Sequence, residues 1–170
     1  MKAHILGTAL IAALGATALP AAEIARFKAA GPTPALILQG VLVPATAETF
    51  YLSGQLASPI DPAKPVTAAS SIEDFGDTKT QTVSILTKIK GLLAAHGYAM
   101  TDVIKMTVFV AGDPKLGGKM DFAGMNEGYK QFFGTAENPN VVARSTIQVA
   151  ALAAPWALVE IEVTAAKMPK

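Results

Sequence analysis

The sequence predicts an α+β fold in which two helices cover one face of a mixed β-sheet. Two observations carry this prediction: apolar residues recur at helical spacing in two segments, and five other segments show the alternation or the short apolar runs typical of strands. Their order is strand, strand, helix, strand, helix, strand, strand. Helices with one apolar side must bury it, so a layer of helices on one sheet is expected.

The two helical segments have recognisable ends. Thr78–His96 begins with Thr78 and Gln81 in capping-box spacing, and Gly97 follows where a terminating glycine is expected. A second helix is expected over Asp121–Gly134, with its aspartate as N-cap. The apolar positions are Val83, Leu86, Ile89 and Leu93 in the first helix, and Phe122, Met125, Tyr129, Phe132 and Phe133 in the second.

Five segments are expected as strands. The last two lie between Val142 and Ala166, where the alternation is strongest, and a turn at Ala153–Pro155 is expected to join them as a hairpin. The other three strands are expected at Ala35–Val43, Thr49–Gln55 and Asp102–Ala111, and a long surface loop at Ala57–Asp77.

The final two strands predict a sheet with unlike faces. In the first, Ala143, Ser145, Ile147 and Val149 lie opposite Val142, Arg144, Thr146 and Gln148. In the second, Ala157, Val159, Ile161 and Val163 lie opposite Leu158, Glu160, Glu162 and Thr164. We expect helices over the more apolar faces. The arginine and two carboxylates of the other faces then need solvent or a second subunit, and they suggest a receptor for a small acid.

The chain is expected to contain one domain after a leader. Residues 1–22 have a basic start, an apolar run and then small residues, as in a secretory signal peptide. The alternative is a membrane anchor, but the apolar run is shorter than the roughly 20 residues that a spanning helix needs. Residues 23–34 are expected to be a connecting segment and residues 35–170 a single domain, periplasmic or secreted.

Composition argues against several classes of function. With 14 basic and 13 acidic residues, the chain has no surplus of positive charge for nucleic acid or for an anionic membrane surface. It has no cysteine, and His96 is the one histidine after the leader. Disulfides, a usual zinc site and a Ser-His-Asp triad are therefore not expected. No metal ion or organic cofactor is expected.

Five sequence segments and their order along the chain are informative about family membership. They are FYLSGQL at Phe50–Leu56, DVIKMTVFV at Asp102–Val110, MNEGYKQFF at Met125–Phe133, ARSTIQVAAL at Ala143–Leu152 and LVEIEV at Leu158–Val163. In this order they resemble the YjgF/Rid family, the reactive intermediate deaminases, over roughly Leu36 to Ala166. The resemblance implies a chorismate-mutase-like fold that forms a homotrimer, with sites in the clefts between subunits.

The same resemblance implies roles for six residues. Arg144 would bind the substrate carboxylate, and Glu160, within LVEIEV, would position the attacking water. The residues that would line the cleft are Ser53 and Gly54 in the SGQ turn, Asn126 at the start of the second helix, and Thr146.

Four of these residues have a structural alternative, which for Glu160 is a solvated or ion-paired acid on its strand. Arg144 could instead form an ion pair with Glu160 or Glu162 across the hairpin. Ser53 could cap a turn, and Asn126 could satisfy backbone donors at the start of its helix.

Two positions depart from the family pattern. Thr146 stands where many active members have a cysteine, and its hydroxyl can replace the thiol as a donor. Ile37 stands where many deaminases have a tyrosine that helps to close the cleft. Phe50, Tyr51 or Tyr129 could compensate for that missing phenol.

The leading hypothesis is hydrolytic deamination of reactive 2-enamino or 2-imino acids, or of a related small carboxylate, to 2-oxo acids and ammonia. An imine is already electrophilic, so positioning and modest general-base help can suffice. The alternative is a non-catalytic periplasmic trimer that binds small carboxylates, which the missing tyrosine favours. Ribonuclease activity or translation inhibition is a third hypothesis, and neutral charge and export both argue against it.

Overall fold

The computed structural model describes residues 23–31 and 35–169. The leader expected at residues 1–22 lies outside this part of the chain. The helices and strands are β1 Ala25–Lys28, β2 Leu38–Leu42, β3 Glu48–Leu56, α1 Ile72–Phe75, α2 Thr78–Ala95, β4 Val103–Ala111, α3 Phe122–Tyr129, β5 Ala143–Val149 and β6 Val159–Lys167, with 3-10 turns at Met100–Asp102 and Pro114–Leu116. Within the described ranges, no helix has both the length and the apolar composition that crossing a membrane would require.

The described strands form one six-stranded sheet with the order β1-β2-β5-β4-β6-β3. Strand β5 runs parallel to both of its neighbours, β2 and β4, whereas the other neighbouring strands are antiparallel. The sheet is therefore mixed. The predicted α+β class, with helices against a mixed sheet, is confirmed.

Helices α2 and α3 cover one face of the sheet, which we call the helix face. The core between the two layers contains Ile85, Leu86, Ile89 and Leu93 of α2, Met125 and Tyr129 of α3, Met106, Val108 and Val110 of β4, and Val159, Ile161 and Val163 of β6. Full burial of one such aliphatic side chain stabilises the fold by roughly 1.5–3 kcal/mol. The opposite face, on which Lys105, Thr107 and Phe109 of β4 lie, is called the open face.

The predicted hairpin of β5 and β6 is wrong. Strand β4 lies between them, parallel to β5 and antiparallel to β6. The connection from β5 to β6 must therefore pass the end of β4. Its Trp156 is buried against Phe75, with ring centroids 3.5 Å apart and planes 4° from parallel. Alternation along two successive strands indicates that both are strands, but it does not indicate that they are neighbours.

The predicted orientation of β5 is also wrong. In the register with β4, Arg144 lies beside Met106 and Thr146 beside Val108, both of which belong to the core on the helix face. Ile147 lies beside Phe109 on the open face, where 46% of its surface is exposed. The sequence does not indicate which face of β5 is buried, because one face mixes Ala and Ser with Ile and Val. For β6 the expected faces are correct, since Val159, Ile161 and Val163 are buried.

Two short elements lie in segments expected to be irregular. Strand β1 falls within the supposed connecting segment of residues 23–34, where it pairs antiparallel with β2. Its Arg26 donates from Nη2 to the carbonyl oxygen of Thr101 at 3.0 Å, which ties the strand to the turn before β4. Helix α1 falls within the long loop and buries Phe75. Both elements are too short to show a period in the sequence.

The helix ends differ from the prediction by a few residues. Asp77, not Thr78, caps α2 by accepting a hydrogen bond from a first-turn backbone N–H at 2.8 Å. The predicted glycine stop is present, because Gly97 has a φ of 76°. Asp121 caps α3 as expected, accepting a backbone N–H at 2.8 Å, but this helix ends at Tyr129 and continues as turns.

Candidate functional site

Arg144 lies half-buried between β5 and α3. Its Nη2 donates to Oδ1 of Asn126 at 2.7 Å, and its Nη1 lies 3.8 Å from the sulfur of Met125. Its guanidinium carbon lies 4.5 Å from the centroid of the Tyr129 ring, within the range of a cation–π contact. Three uncharged side chains on one side of α3 therefore hold the arginine.

In the described part of the chain, no carboxylate forms a salt bridge with Arg144. Among residues 23–31 and 35–169, the salt bridges all involve lysines. Burial lowers the pKa of Arg144, and the nearby Tyr129 acts in the opposite direction. Arginine nevertheless stays protonated at physiological pH. The guanidinium also has more N–H donors than its two contacts use. A partly desolvated cation with spare donors can bind a carboxylate through two parallel hydrogen bonds.

Asn126 and Thr146 are the other candidates on the helix face. Both ends of the Asn126 amide are engaged, since its Oδ1 accepts from Arg144 and its Nδ2 donates to the carbonyl oxygen of Phe122 at 3.0 Å. Thr146 follows Arg144 by two residues on the same side of β5. Its Oγ1 is buried and has no hydrogen-bond partner in the described part of the chain. Such a group costs about 1–3 kcal/mol, so Thr146 holds an unused hydrogen-bonding group beside the arginine.

Ser53, Gly54 and Glu160 lie together on the other side of the sheet. A Cβ built on Gly54 would overlap the Glu160 carboxylate, so the missing side chain allows that carboxylate to lie against β3. Ser53 is exposed, and it lines a cleft of about 360 Å³ that also has Lys105 and Glu162 in its walls.

The six candidates therefore form two groups, not one. Arg144 lies beside Met106 of β4, whereas Glu160 lies beside Phe109. Residues three apart on a strand point to opposite faces, so the sheet separates the two groups within one copy of the chain. The ion pair of Arg144 with Glu160 or Glu162 is wrong for this reason.

Ile37 lies beside the strand that carries Arg144. Ile37 immediately precedes β2, and the next residue, Leu38, donates its backbone N–H to the carbonyl oxygen of Val142 at 2.9 Å. Of the aromatic residues expected to compensate, Tyr129 contacts Arg144 through its ring face. Tyr51 lies on β3 with 77% of its surface exposed and lines the open-face cleft.

Met125 was expected only as a core position, so its contact with the arginine was not predicted. Tyr129 was expected in the core and also as a residue that could replace the missing phenol. The spacing contained a signal, since Tyr129 follows Met125 by four residues and Asn126 by three, and side chains at these spacings are neighbours on a helix. The spacing could not show that this side faces Arg144. That inference failed because β5 had been assigned the opposite orientation.

The fold and the site are those of a small α+β protein with a partly buried, uncompensated arginine between a strand and a helix. Residues 39–167 match the family described as Endoribonuclease L-PSP. The chain belongs to this family, which is also the YjgF/RutC/Rid family. Strand β1 lies before the matched residues.

Relatives of known sequence agree with this membership. A RutC family protein of Pyrococcus horikoshii is 38% identical over 118 residues, which cover 69% of this chain and 79% of the relative. TdcF of Escherichia coli, by its name a candidate reactive intermediate deaminase, is 38% identical over 76 residues, which cover 45% of this chain and 54% of TdcF.

Solved structures share the fold. The structure of Escherichia coli TdcF with bound serine is 31% identical, with a TM-score of 0.53, over 84% of this chain and 93% of TdcF. The Rid family protein YyfB of Yersinia pestis is 25% identical, with a TM-score of 0.57, over 76% of this chain and 86% of that one. The expected chorismate-mutase-like fold is confirmed by these similarities.

Proposed function

We propose that the protein hydrolyses reactive 2-imino or 2-enamino acids to 2-oxo acids and ammonia. The observation that carries the proposal is Arg144, a half-buried cation that uncharged side chains hold and that no described carboxylate neutralises. Family membership supports the class of reaction, as does the similarity to TdcF. Serine bound to TdcF is a small molecule with a carboxylate, which is the kind of ligand proposed here.

The proposed roles follow from the chemistry of each group. Arg144 binds the substrate carboxylate through a bidentate pair of hydrogen bonds. Asn126 and Thr146 shape the pocket beside it. Glu160 orients a water molecule toward the imine carbon, and Ser53 with Gly54 lines that side of the cleft. General-base help of this kind is effective only when the water and the imine carbon are held in contact.

One copy of the chain cannot bring all of these groups to one substrate. Because Arg144 and Glu160 lie on opposite faces of the sheet, the proposal requires a second copy. We therefore include in it a homotrimer in which the helix-face group of one subunit and the open-face group of its neighbour form a shared cleft. The uncovered polar groups of the open face, among them Lys105 and Glu162, support such packing.

The location of the protein is also part of the proposal. The signal-like residues 1–22 favour a periplasmic or secreted protein. An exported deaminase would act on imino or enamino acids outside the cytoplasm, or on a related small carboxylate.

A second candidate is a periplasmic trimer that binds small carboxylates without turning them over. The observation that favours it is Ile37, an aliphatic residue where a phenol is expected in a deaminase. The two candidates share the carboxylate receptor and differ only in catalysis.

The deciding experiment measures the hydrolysis of imines. An amino-acid oxidase generates 2-imino acids in the presence of semicarbazide, which traps those that are not hydrolysed. A deaminase should reduce semicarbazone formation. Arg144→Ala should remove this effect, with a loss of about 2–5 kcal/mol in transition-state stabilisation for a missing charge-assisted contact.

The matched control is Arg26→Ala, because the chain contains only these two arginines and Arg26 is also half-buried. Its loss should leave hydrolysis unchanged. If the wild-type protein leaves semicarbazone formation unaffected across several imino acids, the deaminase proposal is wrong. Arg144-dependent binding of pyruvate would then support the carboxylate-binding candidate.

A further inference from the structure

The guanidinium of Arg144 rests on a stack of two aromatic rings that have no role in the proposed reaction. Its carbon lies 4.5 Å from the centroid of the Tyr129 ring. On its other side, Tyr129 stacks on Phe133, with centroids 4.8 Å apart and 17° between the planes. Both aromatic residues are buried, so water cannot weaken the contact between Tyr129 and the cation.

The Tyr129 ring is held from two directions. Its hydroxyl oxygen accepts a hydrogen bond from the backbone N–H of Val142, two residues before Arg144, at 3.4 Å. Its neighbour Gly128 brings α3 close to α2, since a Cβ there would lie 2.8 Å from the Cβ of Thr82. The ring is therefore linked both to α3, which carries it, and to the residue before β5.

The side chains that contact Arg144 are uncharged, and this matters for ligand binding. A carboxylate beside Arg144 would also fix the guanidinium, but it would occupy the donors and cancel the charge that an acidic ligand needs. An aromatic face attracts the cation electrostatically and does not occupy its N–H donors as a carboxylate would. It can therefore fix the orientation of the group and leave edge donors free.

We propose that Tyr129 is a positioning residue that holds the Arg144 guanidinium in one orientation for a ligand carboxylate. The inference deepens the proposed function and rests on its carboxylate-binding step, not on the deamination step. Fixing a group before binding removes an ordering cost from the binding free energy. A freely rotating Arg144 would still attract anions but would bind them less tightly.

Two substitutions test this role. Tyr129→Leu removes the ring, and Tyr129→Phe keeps it while removing the hydroxyl. Using pyruvate as the probe, the dissociation constant should rise about three- to thirtyfold in the leucine variant, as expected for loss of a desolvated cation–π contact. It should stay within about twofold of wild type in the phenylalanine variant. Phe75→Leu is the matched control, since it removes an equally buried ring that stacks on Trp156 instead.

A second series of variants tests the ring without making the side chain smaller. Phenylalanine analogues with increasing ring fluorination, placed at residue 129, weaken the negative face of the ring and keep its shape. The dissociation constant for pyruvate should rise stepwise along the series. The same analogues at residue 75 should leave it unchanged.

A ligand-free measurement separates this inference from the proposed function. NMR of the arginine side chain reports rotation of the guanidinium about its Nε–Cζ bond, which should be faster in Tyr129→Leu and in the most fluorinated variant. Rotation that is unchanged in both variants would overturn the positioning role, whether or not pyruvate binds. A dissociation constant that does not respond to fluorination would overturn it as well. A wild-type protein that binds pyruvate without hydrolysing imines would remove the deaminase and leave Tyr129 in its role.

Discussion

Arg144 and Glu160 point to opposite faces of one sheet, with strand β4 between their strands. Arg144 lies beside Met106 on the face that the helices cover, and Glu160 lies beside Phe109 on the open face. A small substrate cannot contact both side chains of the same copy. In the proposed function, each copy therefore carries two half-sites that face in different directions.

The first prediction concerns assembly. The protein without residues 1–22 should be a homotrimer, because the two half-sites meet only when the open face of one copy approaches the Arg144 region of another. Light scattering coupled to size exclusion measures the mass directly. A monomer at micromolar concentration would contradict the shared cleft, and would leave Glu160 without a part in the reaction.

The second prediction concerns Gly54. Gly54→Ala should displace the Glu160 carboxylate, because the added Cβ would overlap it. Imine hydrolysis should fall by about tenfold to a hundredfold, the usual effect of misplacing a reacting group. Gly40→Ala is the control, since no described atom lies within 4 Å of a Cβ built there. Glu160→Gln should reduce imine hydrolysis by a similar factor, whereas its binding of pyruvate should persist. Full activity in both Gly54→Ala and Glu160→Gln would exclude the proposed role of Glu160.

The layer structure could be predicted from the sequence, because it follows from local periodicity. Helix α2 and strand β4 have strong periods, and their buried residues are the expected ones, such as Leu86, Ile89 and Met106. The order of the strands could not be predicted, since hydrogen bonding between strands leaves no local pattern. Strands β5 and β6 alternate convincingly, yet another strand separates them.

The candidate site, like the fold, could be predicted only in part. The motifs identified Arg144 and Asn126 as site candidates, and these two side chains are in contact at 2.7 Å. The face of β5 was predicted wrongly because its small side chains, such as Ala143 and Ser145, carry little information about burial. The cation–π contact with Tyr129 could not be predicted for the same reason.

The third prediction concerns two glycines of the helix layer. Gly91→Ala should raise the free energy of unfolding by about 0.5–1 kcal/mol, because alanine favours a helix and no described atom lies within 4 Å of the new Cβ. Gly128→Ala should lower it by about 1–3 kcal/mol, since the Cβ would press against Thr82 at the contact of α2 and α3. Denaturant unfolding measures both values. Equal effects of the two changes would contradict the close packing described at Gly128.

The fourth prediction concerns the cap of α2. The hydrogen bond from the backbone of Thr80 holds the pKa of Asp77 below its ordinary value. A lowered pKa in the folded state means that the carboxylate stabilises the fold above the ordinary value of about 3.9. This contribution is lost as the pH falls through the lowered pKa.

Asp77→Ala should therefore reduce the free energy of unfolding by about 1 kcal/mol at neutral pH. The difference from wild type should shrink below about pH 4, as the wild-type carboxyl becomes protonated. Asp77→Asn keeps a capping oxygen that does not titrate, so it serves as the control. A difference between Asp77→Ala and wild type that stays constant down to about pH 2 would rule out this carboxylate as its source.

The fifth prediction concerns the leader. Expressed in a Gram-negative host, the full chain should yield a periplasmic product whose N-terminus lies between Leu19 and Ile24. Cell fractionation followed by N-terminal sequencing provides the measurement. Cytoplasmic protein with an intact N-terminus would contradict export and would place the proposed deaminase beside intracellular metabolism.

The strand order also determines when the fold can form. Of the strand pairs in the described chain, only β1 with β2 can assemble before β5 exists, because β3 and β4 find their partners among the last two strands. Strand β4 therefore cannot pair until β5 and β6 have been synthesised, and most pairings span long stretches of sequence. Such non-local topologies fold slowly. The described sheet of a growing chain cannot be completed before β6 has been synthesised, which leaves time for any step that requires an unfolded polypeptide.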